Sequence, residues 1–165
     1  LELALRDPLT GLFNRRHVHE MGATLLAHIA RGAPVHSVVL IDLDHFKAIN
    51  DELGHDTGDL ALKHAAKLLR EQARASDIVC RWGGEEFLVL LPQTRLELAL
   101  VFAERFRTRL SSTPMQAAGR QLAFTATIGV AVAGVSDSLD SLVARADKAL
   151  YEGKRGGRNR VVSAE

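Results

Sequence analysis

The chain has one cysteine among its 165 residues, so no internal disulfide can form, and Cys80 suits a reducing compartment such as the cytoplasm. Aromatic residues make up only 5% of it, too few for the interleaved aromatic and basic pattern that grips nucleic acid. Net charge is +1, which gives no global attraction to nucleic acid or to an anionic membrane. No apolar run approaches the roughly 20 residues that cross a bilayer, and no secretory signal opens the sequence. The seven histidines show no H-E-x-x-H or Cys/His zinc spacing. His17 and His19 are expected at the surface. What is present is the ordinary composition of a globular domain, 47% hydrophobic and 25% charged, in a chain long enough for one core.

Periodicity predicts a helix over about 14–31, stopped by Gly32-Ala-Pro34, and then a buried strand in HSVVLIDLD. A helix follows from about Thr57 to Ala73. Two strand-like runs, DIVCRW and EEFLVLLP, are separated by Gly83 and Gly84, a hairpin signal because glycine takes positive φ freely. A helix over about 95–110, a strand in QLAFTATIGVAVA with a short hairpin partner near Met115 to Ala117, a helix over about 138–153 and a closing strand at 160–162 complete the order. The opening LELALRD reads as the end of a helix entering from upstream, so residues 1–165 are expected to be a single output domain of a longer regulatory protein, with 1–6 as linker. The pattern gives a mixed sheet with helices packed on it.

Asp42 and Asp44 end the first strand, and Glu85 and Glu86 follow the glycine pair. Carboxylates gathered at one sheet edge repel unless a cation neutralises them. Oxygen-only donors suit hard cations such as Mg²⁺. Two such ions about 3.5–4 Å apart can activate a hydroxyl and stabilise a leaving oxygen at phosphorus. The basic stretch KALYEGKRGGRNR reads either as a solvated tail or as a local phosphate clamp.

RWGGEEF at 81–87 resembles the motif that names the GGDEF family, in its GGEEF form. DPLTGLFNRR at 7–16, IDLDHFKAINDELGHDTGD at 41–59 and YEGKRGGRNRV at 151–161 resemble the family's other segments at consistent spacing. The resemblance implies an α/β (α+β) fold, a five-stranded central sheet wrapped by helices plus a small hairpin, related to nucleotide cyclases and polymerase palms. It implies a diguanylate cyclase that condenses two GTP into cyclic di-GMP and two pyrophosphates across a two-fold homodimer. Two Mg²⁺ (or Mn²⁺) ions per site would be held by Asp42, Glu85 and the backbone carbonyl of Leu43. Gly83 and Gly84 would lie under the nucleotide, while Asn50 and Asp59 would bond the guanine. Phe46, Lys47, Lys154 and Arg158 would line the triphosphate pocket. Glu86 is left open between holding the second metal and accepting the 3′-hydroxyl proton. Arg81 is assigned either to the ligand or to a partner subunit.

Arg74 and Asp77 have the R-x-x-D spacing that marks the family's product-inhibition site, with Arg105 the candidate second arginine. Trp82 stands where the family commonly has tyrosine, and Gly153 where it has alanine; the glycine is expected to loosen the last helical turn by about 1 kcal/mol. The alternative reading is a non-catalytic receptor for cyclic di-GMP or GTP. No nucleic-acid or membrane contact is expected of this domain.

Overall fold

The computed structural model describes residues 4–27 and 35–164. Its elements are β1 (Phe13–Asn14), α1 (Arg15–Ala27), β2 (Ser37–Leu43), α2 (Phe46–Leu53), α3 (His55–Gln72), β3 (Ile78–Arg81), β4 (Glu86–Leu91), α4 (Leu96–Ser112), β5 (Met115–Ala117), β6 (Arg120–Leu122), β7 (Ala126–Val132), α5 (Leu139–Arg155) and β8 (Val161–Ser163). One mixed sheet runs β1-β3-β4-β2-β7-β8, and β5-β6 form a separate hairpin. The sheet has six strands rather than the five expected, because Phe13–Asn14 joins β3 in parallel, a two-residue pairing too short to leave a sequence pattern. The expected stop at Gly32-Ala-Pro34 lies outside the described residues. The expected linker helix falls partly on residues 1–3, also outside them; Arg6 makes an isolated bridge to Phe13.

β2 is the centre of the sheet, antiparallel to both β4 and β7, and all seven of its residues are buried. That explains its continuous apolar sequence, since both faces are covered. Val39, Ile41 and Leu43 pack with α3 and α4 through Ala61, Leu62, Ala65, Ala103 and Phe106. Val38 and Leu40 pack on the opposite face with Val18 of α1 and Leu142, Ala146 and Leu150 of α5. Burial pushes the Cys80 thiol in this second layer up to about 12, so it stays protonated and unreactive.

α5 starts at a Ser138–Ser141 capping box, which satisfies its first backbone donors. It then lies unusually close to β7. A Cβ on Gly129 would fall 2.0 Å from the Ala146 carbonyl oxygen, and one on Gly153 would fall 2.7 Å from the Thr127 methyl. Gly153 therefore serves close packing of the helix end on β7. The two histidines are not free surface groups either. His17 has a buried Nδ1 with no hydrogen-bond partner, and the His19 ring sits 5.1 Å from Trp82 with Asp140 at 3.6 Å. α1 lays His17 against Phe13 of β1 and His19 against Trp82 just past β3, contacts that i, i+2 spacing does not announce.

Residues 46–53, which the sequence marks only by motif, form a helix of their own. Gly54, at φ 91°, separates it from α3. That left-handed break folds α2 back along α3.

Candidate functional site

The chain's acids converge where β2 ends. Asp42 is opposite Glu86 on β4 and Thr127 on β7, and the Leu43 N–H donates to the Glu85 carbonyl at 3.2 Å. Side chains directly opposed across strands share a face, with Cβ atoms about 4.5–5.5 Å apart. Asp42 is 6% exposed, and its carboxyl is raised above the ordinary range by burial, against the opposing pull of Lys154. Glu85 is raised by burial and then by Asp42; Glu86 is raised by burial, Asp42 and Asp147. Burial alone would lower Lys154, but its hydrogen bond to Asp42 and the surrounding carboxylates raise it. This is a site short of positive charge.

The glycine turn differs from expectation. The loop spans 82–85, and the N–H groups of Trp82 and Gly83 donate to the Glu86 carbonyl at 2.8 and 3.2 Å. Neither Gly83 nor Gly84 has a positive φ, so backbone conformation does not demand them. Space does. A Cβ on Gly83 would meet Glu86 Oε1 at 2.7 Å, whereas one on Gly84 would meet nothing within 4 Å and project into open cleft. The turn is braced from outside: Arg81 donates to the Gly84 carbonyl at 2.9 Å and pairs with Asp7 at 3.2 Å.

Two adjoining clefts meet here. One, of about 560 Å³, is lined by Asn50, Asp59, Arg81, Gly84 and Glu86; the other, of about 470 Å³, by Asp42, Leu43, Lys154 and Arg158. Phe46, Lys47 and Glu85 belong to both. The Gly54 break between the helices brings Asn50 of α2 and Asp59 of α3 to the same wall.

Asp44, grouped with the metal-ligand candidates by position alone, does something else. It is 4% exposed and accepts from Thr125 Oγ1 at 2.7 Å, Thr127 Oγ1 at 2.6 Å and the Asn159 N–H at 3.0 Å. It thereby anchors the loop after α5, where Arg158 and Asn159 both adopt left-handed conformations at φ 64° and 46°. Non-glycine residues pay for such geometry, and a buried acceptor holds them in it. The D-x-D spacing gave no sign of that role.

Among the described residues no three His, Cys, Asp or Glu side chains form a self-sufficient metal cage. Asp42 and Glu85 with the Leu43 carbonyl offer only oxygen donors. That set fits a hard divalent ion that completes its shell with water and phosphate.

Arg74 and Asp77 sit beyond α3, away from these clefts. Arg74 donates its N–H to Asp77 Oδ2 at 2.8 Å and its guanidinium to Asp77 Oδ1 at 3.1 Å and Thr94 Oγ1 at 2.8 Å. Its side chain is 59% exposed while the Asp77 carboxylate is sealed beneath it. Arg105 stands exposed on α4 beside Val101 and makes no hydrogen bond or ion pair to either among the described residues.

A sequence model of the family described as "Diguanylate cyclase, GGDEF domain" matches residues 4–160. The response regulator PleD of Caulobacter vibrioides is 47% identical over 98% of this chain, and the diguanylate cyclase DgcM of Escherichia coli 45% identical over 98%. The chain spans 36% and 38% of those proteins' lengths. Among solved structures, the GGDEF domain of DgcB from Caulobacter crescentus in complex with c-di-GMP superposes with a TM-score of 0.94 at 34% identity, covering 98% of this chain and 94% of that one. The diguanylate cyclase SiaD of Pseudomonas aeruginosa, solved with its activator SiaC, superposes at 0.93 and 39% identity, covering 99% of this chain and 63% of that one.

Proposed function

The chain belongs to the GGDEF family, and from that premise we propose that it condenses two GTP molecules into cyclic di-GMP with release of two pyrophosphates. The observation that carries this reading is the pair of clefts sharing Phe46, Lys47 and Glu85, one walled by Asn50 and Asp59, the other by Asp42, Lys154 and Arg158. A guanine edge presents N1–H and N2–H₂ donors, which the Asp59 carboxylate and the Asn50 carboxamide oxygen accept. Adenine lacks that donor pair, and an acceptor left unpaired in the site costs about 1–3 kcal/mol. The triphosphate then crosses the open face of Gly84 toward Lys154 and Arg158.

Asp42, Glu85 and the Leu43 carbonyl would hold Mg²⁺ or Mn²⁺, two ions per site. When bound, these supply activation of the 3′-hydroxyl and neutralisation of charge at the transferring phosphorus. In each step the 3′-oxygen of one nucleotide forms a bond to the α-phosphorus of the other. The bond from that phosphorus to the pyrophosphate oxygen breaks, and the hydroxyl proton leaves. Glu86, half-buried and with raised proton affinity, is the residue suited to accept that proton. Lys154 and Arg158 offset the charge gathering on pyrophosphate. One chain provides for one GTP, so two chains must face each other about a two-fold axis. Arg74 and Asp77 form the product-binding inhibitory site, with Arg105 as its second arginine, from this chain or a neighbouring one.

Incubation with GTP and Mg²⁺ tests the reading, with cyclic di-GMP as the expected product and a rate rising more steeply than linearly with protein concentration. GTP binding without turnover at high protein concentration would support the receptor reading instead.

A further inference from the structure

We propose that Gly58 is a specificity-determining position: the space left by its absent side chain is where the Asn50 carboxamide stands, so Gly58 fixes how that carboxamide meets the base. The inference rests on the reading that Asn50 and Asp59 hold guanine.

Gly58 lies in the first turns of α3, next to Asp59, and is buried. Its φ is not in the left-handed region, so its backbone is one that any residue adopts. Glycine is the poorest non-proline helix former, and nothing local asks for it there. Something external does. A Cβ at this position would fall 1.9 Å from Asn50 Oδ1, 2.9 Å from Asn50 Cγ and 3.3 Å from Phe46 Cζ. Both neighbours belong to α2 and line the cleft assigned to guanine.

The nature of the obstacle separates this glycine from one that only lets two elements approach. At Gly129 the added carbon would strike a backbone carbonyl oxygen, that of Ala146 at 2.0 Å. At Gly58 it would strike a side-chain tip that the chain proposes to use. Among the described residues the Asn50 carboxamide has no hydrogen-bond partner, so its place is set by packing over the bare Cα of Gly58 and beside the Phe46 ring. Filling that space turns the carboxamide out, and the Asn50 side chain can yield without disturbing the α2 backbone. Gly58→Ala is therefore expected to damage base recognition while leaving the fold and the phosphate contacts in place.

The test uses 3′-deoxy-GTP, which lacks the attacking hydroxyl and so reports binding without turnover, titrated calorimetrically with Mg²⁺. Gly58→Ala and Asn50→Ala should each weaken it by about tenfold or more, the effect of an unpaired polar group in the site. The Gly58→Ala, Asn50→Ala double variant should be no weaker than Asn50→Ala alone, because with the carboxamide gone the one close contact left is Phe46 Cζ at 3.3 Å, which a shift of a few tenths of an ångström relieves. Affinity for 3′-deoxy-ATP, read by competition, should not change. Additive losses in the double variant overturn the proposal. So does normal 3′-deoxy-GTP binding by Gly58→Ala when Asn50→Ala is impaired. If both single variants bind normally, the guanine assignment itself fails and the proposal falls with it. Should Gly58→Ala fold poorly, the double variant should recover the native melting temperature; failure to recover it places the clash elsewhere and refutes the inference.

Discussion

Lys154 Nζ donates to Asp42 Oδ2 at 2.6 Å, joining residues 112 positions apart at the mouth of the carboxylate cluster. The ammonium neutralises the acid that the proposed reaction assigns to a divalent ion. On that assignment lysine and metal would compete for one oxygen until GTP offers the lysine its phosphates. Lys154→Met should tighten Mn²⁺ binding in the nucleotide-free protein, measured by electron paramagnetic resonance, and weaken GTP binding. Weaker Mn²⁺ binding in the variant would contradict the competition. The unpaired acid should also lower metal-free stability by about 1 kcal/mol, the scale of a partly exposed ion pair.

Asp42, Glu85 and Glu86 all hold protons more tightly than free carboxylates, chiefly because they are buried. Between the ordinary values of 3.8 and 4.5 and their raised ones, the folded chain binds protons that the unfolded chain has released. Stability contributed by this cluster is therefore greatest below that window and falls as pH rises through it. Glu85→Gln removes one offending charge. Without metal it should raise the melting temperature at pH 7 by roughly 1–2 °C, a shift kept small by solvent screening, and leave it unchanged near pH 4. The increase that Mg²⁺ gives the parent protein at pH 7 should be lost, together with turnover.

At the R-x-x-D pair, Asp77 is the wrong residue to remove first. Its sealed carboxylate accepts the Arg74 N–H and closes the turn after α3, so its loss would act on the fold. Arg74 is mostly exposed, so truncating it gives up a partly solvated ion pair and should lower stability by only about 1 kcal/mol. Arg74→Ala should turn over GTP at the parental rate and resist added cyclic di-GMP. Unchanged inhibition would remove the second site from the account.

The gathering of Asp42, Glu85 and Glu86 at one sheet edge was legible because the sheet carries their spacing into space; the glycine pair was legible as a turn, but not for the positive φ expected of it. β2 was legible as a continuous apolar run because it is covered on both faces. What the sequence hid depends on contacts between distant segments. The Asp44 bonds to Thr125, Thr127 and Asn159 span 81, 83 and 115 positions, and no local pattern marks them. α2 is eight residues long, too short for periodicity to separate from its motif. Arg81 reads as a ligand or interface residue, and nothing local shows that it also braces the glycine turn through Asp7 and the Gly84 carbonyl.

The glycine pair itself separates folding from function. Gly84 has an ordinary φ, is exposed, and would carry a Cβ with no neighbour within 4 Å. Gly84→Ala removes conformational freedom from the unfolded chain without adding a clash, so it should leave stability unchanged or raise it by about 0.4–1 kcal/mol. Yet the new methyl would occupy the surface assigned to the triphosphate, so GTP binding should fall by at least about tenfold, a loss of roughly 1.4 kcal/mol. Gly83→Ala should behave differently. Its methyl meets Glu86 Oε1 at 2.7 Å, which forces that carboxylate to move. Turnover should then fall more than GTP affinity, because Glu86 is displaced while the phosphate surface stays open. Urea denaturation and GTP titration of both variants check this. Equal damage to GTP binding by both substitutions would mean that the nucleotide does not lie across Gly84.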